Sequence, residues 1–491
     1  MTMASFLGID LGTSAVKAVL LGPDGRLNAS AARPLSTARP APGLSEQDPA
    51  DWYAAVDAAV AELRGAEGLG NVAGIGLSGQ MHGAVLLDAD GVAIRPAILW
   101  NDNRGAEEAE RLAAAVPDIE ALAGALPGPG LQAPKLMWLA AHEPAHLARA
   151  RHVLAPKDAL RFHLTGAAVT DPCDAAGTLL LDQAARRWSS ALLAAAGIEA
   201  GLLPHIMEGP EVSGVLKPEI ARRWGLAPGT VVATGAGDGA AGAIGLGAVR
   251  PGDAFISLGT SAQISVALDR YAPLAGRGLQ CFAHGLPGLW YRAAALLNGA
   301  SVLSYAAGLG GIRDLGAALA AVEARYDGPG PLFFLPYLSG ERTPLQDPHA
   351  RGVVFGLTPS TTPLDLVQAA LEGLVHALMD GFDALGIGAA DTPLGLVGGG
   401  AASPLLRRLL ASGLNRPLAT YHDAGHGPAL GAARLARLAV TGESPSAVCT
   451  RPEIESLTLP EPVLTEGLIG RHGEFRALYA ALKPRFAAAA H

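Results

Sequence analysis

A short pattern of small and hydroxyl-bearing residues occurs twice in this chain, once near the start and once just past the middle. The first copy is Ile9-Asp10-Leu11-Gly12-Thr13-Ser14, and the second is Ser257-Leu258-Gly259-Thr260-Ser261. Each copy follows an apolar run and leads into alternating residues, so each predicts two strands joined by a tight turn. Repeats at half-chain spacing indicate two related domains.

Between the two copies lies a stretch of small residues, 235–245, that carries a single charge, Asp238. Glycine-rich backbone can approach a ligand closely, which leaves the one carboxylate free to act on that ligand. Ligand clefts are commonly found where domains meet. The arrangement therefore predicts a two-domain phosphoryl-transfer enzyme with Asp238 at the junction.

The composition indicates a well-buried globular protein, since half of its 491 residues are apolar and only 16% are charged. The net charge is −9 and the arginine pairs are isolated, which does not fit a nucleic-acid partner. The cysteines, Cys173, Cys281 and Cys449, are far apart and lack metal-ligand spacing, so we expect neither disulfides nor structural zinc.

The N-terminal residues show no basic segment ahead of an apolar run, so we expect no signal peptide and a cytoplasmic location. One uncharged stretch, from Ala293 to Ile312, has the length of a membrane span. Asn298, Ser301 and Ser304 interrupt it at helical spacing. We therefore predict a buried helix there, and no membrane association.

Strand-like and helical segments alternate along the chain, which predicts α/β domains. Two polar clusters, Gln80/His82 and Asn101/Asp102, follow neighbouring strand-like segments. A site for a polar ligand is often assembled in this way. Lys157-Asp158 and the segment 174–178 predict polar loops, and the last helix is predicted to begin near Pro428.

Other readings of these motifs remain open at this stage. Gly237-x-Gly239-x-x-Gly242 has the glycine spacing of a dinucleotide site, but the next strand does not end in the acid that would hold a ribose. No glycine-lysine pair forms a P-loop, so phosphate would be held by the two turns and a metal.

Each functional residue also has a simpler interpretation. Asp238 could only bond neighbouring amides, as Asp often does in a glycine-rich turn. His82 could be a buried structural histidine, and Asp102 could cap the helix after it. The glycines at 398–400 could form a turn without a ligand. The co-occurrence of all these clusters favours the functional interpretation.

Taken together, these motifs resemble those of the FGGY carbohydrate kinases over nearly the whole chain. The matching segments are IDLGTS (9–14), SEQDP (45–49), GQMHG (79–83), ILWND (98–102), APK (133–135), DAAGT (174–178), GDGAAGA (237–243), SLGTS (257–261), LSGERTP (338–344), GGGA (398–401) and PALGAAR (428–434). The stretch 352–372 also fits a family signature. The resemblance implies two actin-like (ribonuclease H-like) ATPase domains flanking a central cleft: 1–243 with the sugar site, and 244–491 with the nucleotide site.

The resemblance also implies an activity: phosphorylation of D-xylulose to D-xylulose 5-phosphate, with ATP and Mg²⁺. GQMHG together with ILWND favours this sugar over ribulose, fuculose or glycerol, which remain alternatives. A further alternative is an actin-like ATPase that binds a protein partner. Related kinases are often dimers, so a homodimer is expected.

Residue roles follow from the same resemblance. Asp238 matches the catalytic base and, with Asp10, the metal site. The sugar contacts would be Gln80, Met81, His82, Trp100 and Asp102. The nucleotide would be held by Thr13, Ser14, Gly259, Thr260, Gly399, Gly400, Ala401 and Ser403. We further expect Ala429 to Ala432 to pack on the opposite side of the adenine.

This chain departs from the family pattern at several positions. Gly239 stands where asparagine is usual, and Asn103 stands where glycine is usual. Gln132 breaks the second family signature, and Cys173 replaces a common serine. Ala402 and Ser412 replace the Arg and Asp often found around the nucleotide. The first two of these departures touch the expected sugar site.

Overall fold

The computed structural model describes residues 4–388 and 392–488. Its first half contains fifteen strands and ten α-helices. The strands are β1 (Ser5–Leu11), β2 (Ala15–Leu21), β3 (Leu27–Pro34), β4 (Glu46–Gln47), β5 (Val72–Gly79), β6 (Val85–Leu87), β7 (Ala97–Ile98), β8 (His152–Leu154), β9 (Val169–Thr170), β10 (Leu181–Asp182), β11 (Arg187–Trp188), β12 (His205–Ile206), β13 (Val212–Val215), β14 (Val231–Ala233) and β15 (Ala236–Gly237). The helices are α1 (Pro49–Glu62), α2 (Ala106–Ala115), α3 (Ile119–Ala123), α4 (Gln132–His142), α5 (Pro144–Arg149), α6 (Pro156–Thr165), α7 (Pro172–Ala176), α8 (Ser190–Ala196), α9 (Pro218–Trp224) and α10 (Asp238–Gly245).

The second half has fewer and longer elements. Its strands are β16 (Ala254–Leu258), β17 (Ala262–Leu268), β18 (Gln280–Ala283), β19 (Trp290–Leu296), β20 (Phe333–Leu335), β21 (Val353–Phe355), β22 (Leu394–Val397), β23 (Leu418–Tyr421) and β24 (Ile454–Thr458). Its helices are α11 (Ser301–Leu309), α12 (Leu315–Arg325), α13 (Pro363–Leu385), α14 (Pro404–Gly413), α15 (Gly427–Thr441), α16 (Pro445–Val448) and α17 (Pro462–Ala488).

The two large sheets have the same strand plan. The first is ordered β13-β14-β5-β1-β2-β3, and the second is ordered β18-β19-β17-β16-β22-β23-β24. In each sheet three adjacent strands pair antiparallel, β1-β2-β3 and β16-β17-β19, and the second sheet adds β18 outside β19. The first of the three then pairs in parallel with a later strand, β5 or β22. The predicted duplication is thus present at the level of strand topology.

Both repeated motifs form the predicted turns between paired strands. The backbone N–H of Gly12 donates to the carbonyl of Ala15 at 3.1 Å, and that of Gly259 donates to Ser261 at 2.9 Å. The first helix also begins as predicted, with Asp48 accepting from the N–H of Ala50 and Pro49 in the first turn. Asp at this position satisfies an N–H that has no partner within the helix.

Helices α10 and α15 lie between the two sheets and pack closely on each other. A Cβ at Gly431 of α15 would lie 1.8 Å from the carbonyl oxygen of Ala241 in α10. On its other side α15 contacts the first sheet, where a Cβ at Gly8 would lie 2.0 Å from the Ala429 oxygen. Phe6 and Val19 join Ala429 and nearby residues of α15 in one buried cluster. A helix from the second half therefore completes the core beneath the first sheet.

Several sequence predictions were wrong. Lys157-Asp158 and 174–178 were predicted as polar loops, but Lys157 and Asp158 lie in α6, and Asp174 lies in α7, all fully buried. Lys157 lies 2.9 Å from Asp171 and 3.2 Å from Asp174, so the polarity of these segments is explained by buried ion pairs.

The predicted buried helix over residues 293–312 is present only over Ser301–Leu309. That stretch contains the end of β19, a turn, and α11. Within the described ranges, no helix combines the length and apolar character that crossing a bilayer requires. The last helix was predicted near Pro428, where α15 does begin, but α17 follows it and packs against α13 and α14.

Candidate active site

The end of β1 carries the first acid of the site, Asp10. Its Oδ1 accepts a hydrogen bond from Ser78 Oγ at 3.1 Å, and its Oδ2 faces the turn at Gly12, 3.9 Å from where a Cβ of Gly12 would lie. Burial raises the pKa of Asp10 to about 6. The carboxylate is therefore fixed by one oxygen and presents the other toward the first turn.

Thr13 connects this turn to a network of amide and indole groups. Its hydroxyl donates to Gln80 Oε1 at 3.0 Å and accepts from Trp100 Nε1 at 2.9 Å. Gln47, which sequence reasoning did not single out, donates to the Thr13 carbonyl at 2.7 Å and accepts from Gln80 Nε2 at 3.1 Å. Both ends of the Gln80 side chain are thus bound by protein, and the residue is 2% exposed.

Two predicted residues at this turn are open to solvent. The Ser14 side chain is exposed, and its carbonyl accepts from the N–H of Leu35 at 2.8 Å. Trp100 is 37% exposed, with its ring nitrogen anchored to Thr13. The network therefore presents Trp100 and Ser14 outward and keeps Gln80 behind them.

Asp238 is the first residue of α10 and lines a cavity of about 220 Å³ between the two halves. Gly239, Ser257, Gln263, Val397 and Pro428 also line this cavity. Burial and the charge of Asp10 raise the pKa of Asp238 to about 7. A carboxylate whose ionisation is opposed by a second negative charge favours a bound cation or proton beside it.

Met81 and His82 follow β5 on the other side of Asp238. A Cβ at Gly237 would lie 2.6 Å from the Met81 sulfur, so Met81 packs on the backbone just before the acid. His82 has a φ of 68°, and its carbonyl accepts from buried Lys135 Nζ at 2.9 Å. This bond helps to hold His82 in a left-handed conformation that histidine seldom adopts.

The imidazole of His82 has one defined partner, the carbonyl of Gly177, which lies 3.2 Å from Nδ1. A carbonyl can only accept, so Nδ1 carries the hydrogen and Nε2 is left as an acceptor. Burial, followed by the charge of Lys135, lowers the pKa of His82 to about 3. The ring is therefore neutral at physiological pH and suited to accepting a hydrogen bond from a hydroxyl.

Asp102 is fully buried, and its carboxylate is occupied by protein groups. It accepts from the Ser45 N–H at 2.6 Å, and from the Arg104 N–H and Nε at 2.9 and 2.8 Å. Burial raises the pKa of Asp102, but the hydrogen bonds from Arg104 and Ser45 outweigh burial and hold the pKa below its usual value. Any sugar contact by Asp102 would compete with Arg104.

The second turn is built on the start of α11. The carbonyl of Thr260 accepts from the Gly299 N–H at 2.9 Å and from Ser301 Oγ at 2.7 Å. A Cβ at Gly299 would lie 2.6 Å from the Gly259 carbonyl, so only glycine allows this close contact. These bonds fix the turn at Gly259 and Thr260, which connects the end of β16 to the start of β17.

The glycines after β22 pack on the end of β16. A Cβ at Gly400 would lie 2.5 Å from Leu258 Cγ, and Gly399–Ala402 form a single 3-10 turn. The Ala401 carbonyl accepts from Arg407 at 2.6 Å, and the Ser403 hydroxyl caps α14. The side chain of Ser403 and the backbone of Ala401 are therefore used locally, whereas Gly399 is exposed.

Two segments that were expected near the adenine are buried in the protein interior. Ala429 and Ala432 are fully buried, because α15 packs there against Gly8 and Gly76 of the first sheet. They therefore do not form the opposite wall of a nucleotide pocket. Ser412 is also fully buried, and its hydroxyl accepts from the Glu461 N–H at 3.0 Å, next to the start of α17.

Comparison with known proteins identifies the family. The model of the N-terminal domain of the FGGY family of carbohydrate kinases matches residues 5–245, and that of the C-terminal domain matches residues 254–440. This chain belongs to the FGGY family of carbohydrate kinases. The two-domain actin-like architecture predicted from sequence is thus confirmed.

Similar proteins cover nearly the full length of the chain. A xylulose kinase from Escherichia coli is 42% identical over 98% of this chain and 100% of its own length. A crystal structure of a xyloylose kinase from Brucella ovis, 43% identical, superposes with a TM-score of 0.94 over 97% of this chain and 99% of its own. A gluconate kinase from Lactobacillus acidophilus, 26% identical, superposes with a TM-score of 0.93 over 99% of both chains.

Proposed function

We propose that this carbohydrate kinase transfers the γ-phosphoryl group of ATP to O5 of D-xylulose. The observation that carries the chemistry is the Asp238 carboxylate, which lies in the cavity between the two halves and whose pKa is raised by burial and by the charge of Asp10. The choice of sugar rests on similarity to xylulose kinases over nearly the whole chain. The gluconate kinase with the same fold shows why the sugar has to be tested directly.

Asp238 would act as the general base. As the O5–phosphorus bond forms, the hydroxyl proton passes to the Asp238 carboxylate and ADP leaves with the electrons of the broken bond. A base works best when its pKa lies near the operating pH, and burial together with Asp10 brings that of Asp238 to about 7. Phosphoryl transfer otherwise depends mainly on positioning and charge neutralisation.

Members of this family use ATP, and we propose Mg²⁺ as its partner here. The residues present fit such an ion, because Asp10 and Asp238 are carboxylates whose pKa values rise on burial and so favour a nearby cation. Mg²⁺ commonly binds through one or two carboxylates plus substrate phosphates, and would neutralise phosphate charge. The turns at Thr13 and Ser14 and at Gly259 and Thr260 would hold the phosphates through backbone amides and hydroxyls.

The sugar would lie between His82 and Asp238. Neutral His82 offers Nε2 as an acceptor for a sugar hydroxyl, and Met81 closes the apolar side. Trp100 is exposed at the edge of the same region. Gln80 and Asp102 would support the site from behind, since their polar atoms are already bound by Thr13, Gln47, Ser45 and Arg104.

We propose that each domain carries the binding site expected from the sequence: residues 1–243 carry the sugar site and residues 244–491 carry the nucleotide site. Gly399, Gly400 and Ala401 would contact the adenosine through backbone, and Ser403 would fix the adjoining helix. A homodimer and a cytoplasmic location remain predictions. Sedimentation equilibrium and cell fractionation test them.

A sugar panel with coupled detection of ADP tests the proposed function. D-xylulose should give the highest kcat/KM against D-ribulose, L-fuculose, D-gluconate and glycerol, because buried polar groups left unpaired reject the wrong stereoisomer. A higher kcat/KM for any of the other four would replace the proposed sugar. ATP turnover that ignores all sugars and rises with a polypeptide would point instead to an ATPase module with a protein partner.

A further inference from the structure

Gly239, the residue after the proposed base, leaves an open space beside the reacting groups. A Cβ built on Gly239 would lie 3.8 Å from the Tyr291 hydroxyl and 3.9 Å from Gln263 Nε2. Both distances are ordinary van der Waals contacts. The missing side chain therefore exposes a small region bounded by two polar side chains of the second half.

Of these two polar groups, the Tyr291 hydroxyl is bound less strongly by other protein groups. Gln263 Nε2 already donates to Ser265 Oγ at 3.0 Å. Among the described residues, the hydrogen-bonding partner of the Tyr291 hydroxyl is the Cys173 thiol, 4.0 Å away. Thiols are weak donors and acceptors, so this buried hydroxyl retains most of its capacity to bond a ligand.

The ring of Tyr291 is held firmly in this position. Phe282 and His284 meet it edge to face, with ring centroids 6.2 and 6.4 Å away. Phe282 in turn lies edge-on to His82, at 6.4 Å. The same aromatic cluster thus extends from the proposed sugar acceptor His82 to Tyr291, whose hydroxyl lies beside Gly239.

We propose that Tyr291 contacts the substrate, its hydroxyl hydrogen-bonding a sugar hydroxyl through the space that Gly239 leaves open. The residue would help to determine specificity for polyhydroxylated ketoses, and the inference rests on the proposed sugar kinase function. Burial and the neighbouring Cys173 and Asp238 raise the pKa of Tyr291, so the phenol stays neutral and can both donate and accept.

The test compares Tyr291→Phe with the wild-type enzyme on D-xylulose and on analogues that each lack one hydroxyl. We expect kcat/KM for D-xylulose to fall about three- to tenfold, the usual effect of losing one neutral hydrogen bond. The KM for ATP should not change. For one deoxy analogue the two enzymes should become equal, because the bond is already missing; a purely structural role would not produce that equality.

Two further variants sharpen the result. Tyr337→Phe removes the hydroxyl of another buried tyrosine, which packs on Phe475, and should leave the sugar panel unchanged. Gly239→Asn fills the space beside Tyr291 and should therefore lower kcat/KM in the wild-type background. The same substitution should lower kcat/KM less in the Tyr291→Phe background, because the hydrogen bond that needs this space is already lost there.

The inference and the function fail in different ways. If D-xylulose is not the best substrate of the wild-type enzyme, the proposed function is wrong. If D-xylulose is the best substrate and Tyr291→Phe leaves every analogue ratio unchanged, the inference about Tyr291 is wrong.

Discussion

At the level of single residues, the carboxylate of Asp10 influences the protonation of Asp238. Burial and the charge of Asp10 raise the pKa of Asp238 to about 7. A base must be ionised to accept a proton, so the activity should fall as the pH drops through this value. Bound Mg²⁺ would move this limb to lower pH, since a cation favours the carboxylate.

This coupling gives a pH prediction. Asp10→Asn removes the negative charge that helps to keep Asp238 protonated, so the pKa of Asp238 should fall. The acidic limb of the kcat/KM profile, measured at one fixed excess of Mg²⁺, should move to lower pH even though the maximal rate also drops. The measurement compares the pH at the midpoint of the acidic limb between Asp10→Asn and the wild-type enzyme, and not the maximal kcat/KM. An unmoved midpoint would show that Asp10 does not act on the titrating group.

Single residues also show the limit of reading a site from sequence. Asp238, His82 and Thr13 were singled out by their motifs. The structure places Asp238 in the cavity between the two halves, His82 near Phe282 of the second half, and Thr13 in a network with Gln80 and Trp100. Gln80 came from the same motif, yet its polar atoms are bound by Thr13 and Gln47. Residue type indicates hydrogen-bonding capacity but not whether protein or ligand uses that capacity.

At the level of elements, the largest error concerned α6 and α7. Both helices carry charged residues in their first turn, a pattern that is typical of a solvated loop. In the structure, Lys157, Arg161 and three aspartates form one buried cluster. Asp158 and Arg161 pair within α6, but Lys157 also pairs with Asp171 and Asp174 at the start of α7, and periodicity within one segment cannot reveal such partners. Among the described residues, Asp158, Asp171 and Asp174 also form a group spaced closely enough to hold a cation, a position that Lys157 already fills.

Removing the Lys157 ammonium from this cluster should lower the stability of the fold. Lys157→Met should destabilise the fold by about 3–5 kcal/mol, because it leaves carboxylates buried without a partner. Arg408→Met is the matched control: the side chains of Arg408 and its partner Glu461 are 35% and 41% exposed, so this pair should contribute roughly 0–1 kcal/mol. Urea denaturation measures both. Equal losses for the two variants would contradict the importance of burial.

At the level of the whole molecule, the two halves are joined by the crossing of α10 and α15. Small residues bring the helices close enough that a Cβ at Gly431 would lie 1.8 Å from the Ala241 oxygen. Lys17 of the first half also donates to the Gly425 carbonyl of the second at 2.8 Å. Asp238 begins one of the crossing helices, so the position of the base depends on this contact.

The crossing predicts opposite effects for the same substitution at two helical glycines. Gly431→Ala should lower stability by roughly 1–3 kcal/mol or more, because the backbone of α10 must move. Gly470→Ala, on the exposed side of α17, should stabilise by about 0.5–1 kcal/mol, since a Cβ there meets no described atom within 4 Å. Thermal unfolding compares the two. A tolerated Gly431→Ala with full stability would mean that the helices are not in close contact.

The whole-molecule plan was the part best predicted from sequence. The duplicated turn indicated two related sheets, and six strands of each sheet follow the same order. The sequence did not reveal that α15 would bury Ala429 and Ala432 against the first sheet, because an alanine-rich face fits a ligand pocket or a helix contact equally well. It also gave no indication that α17 would follow.

The most direct test of the account is the turnover of Asp238→Asn with D-xylulose, ATP and saturating Mg²⁺. The substitution keeps the shape of the side chain but removes the basic oxygen, so kcat should fall about 10²–10⁴-fold. The Kd for ATP, measured by calorimetry, should change little, since the turns at Gly12 and Gly259 would hold the phosphates. Recovery of much of the rate by excess Mg²⁺ would assign Asp238 to the metal instead. Turnover close to that of the wild-type enzyme would contradict a catalytic role for Asp238.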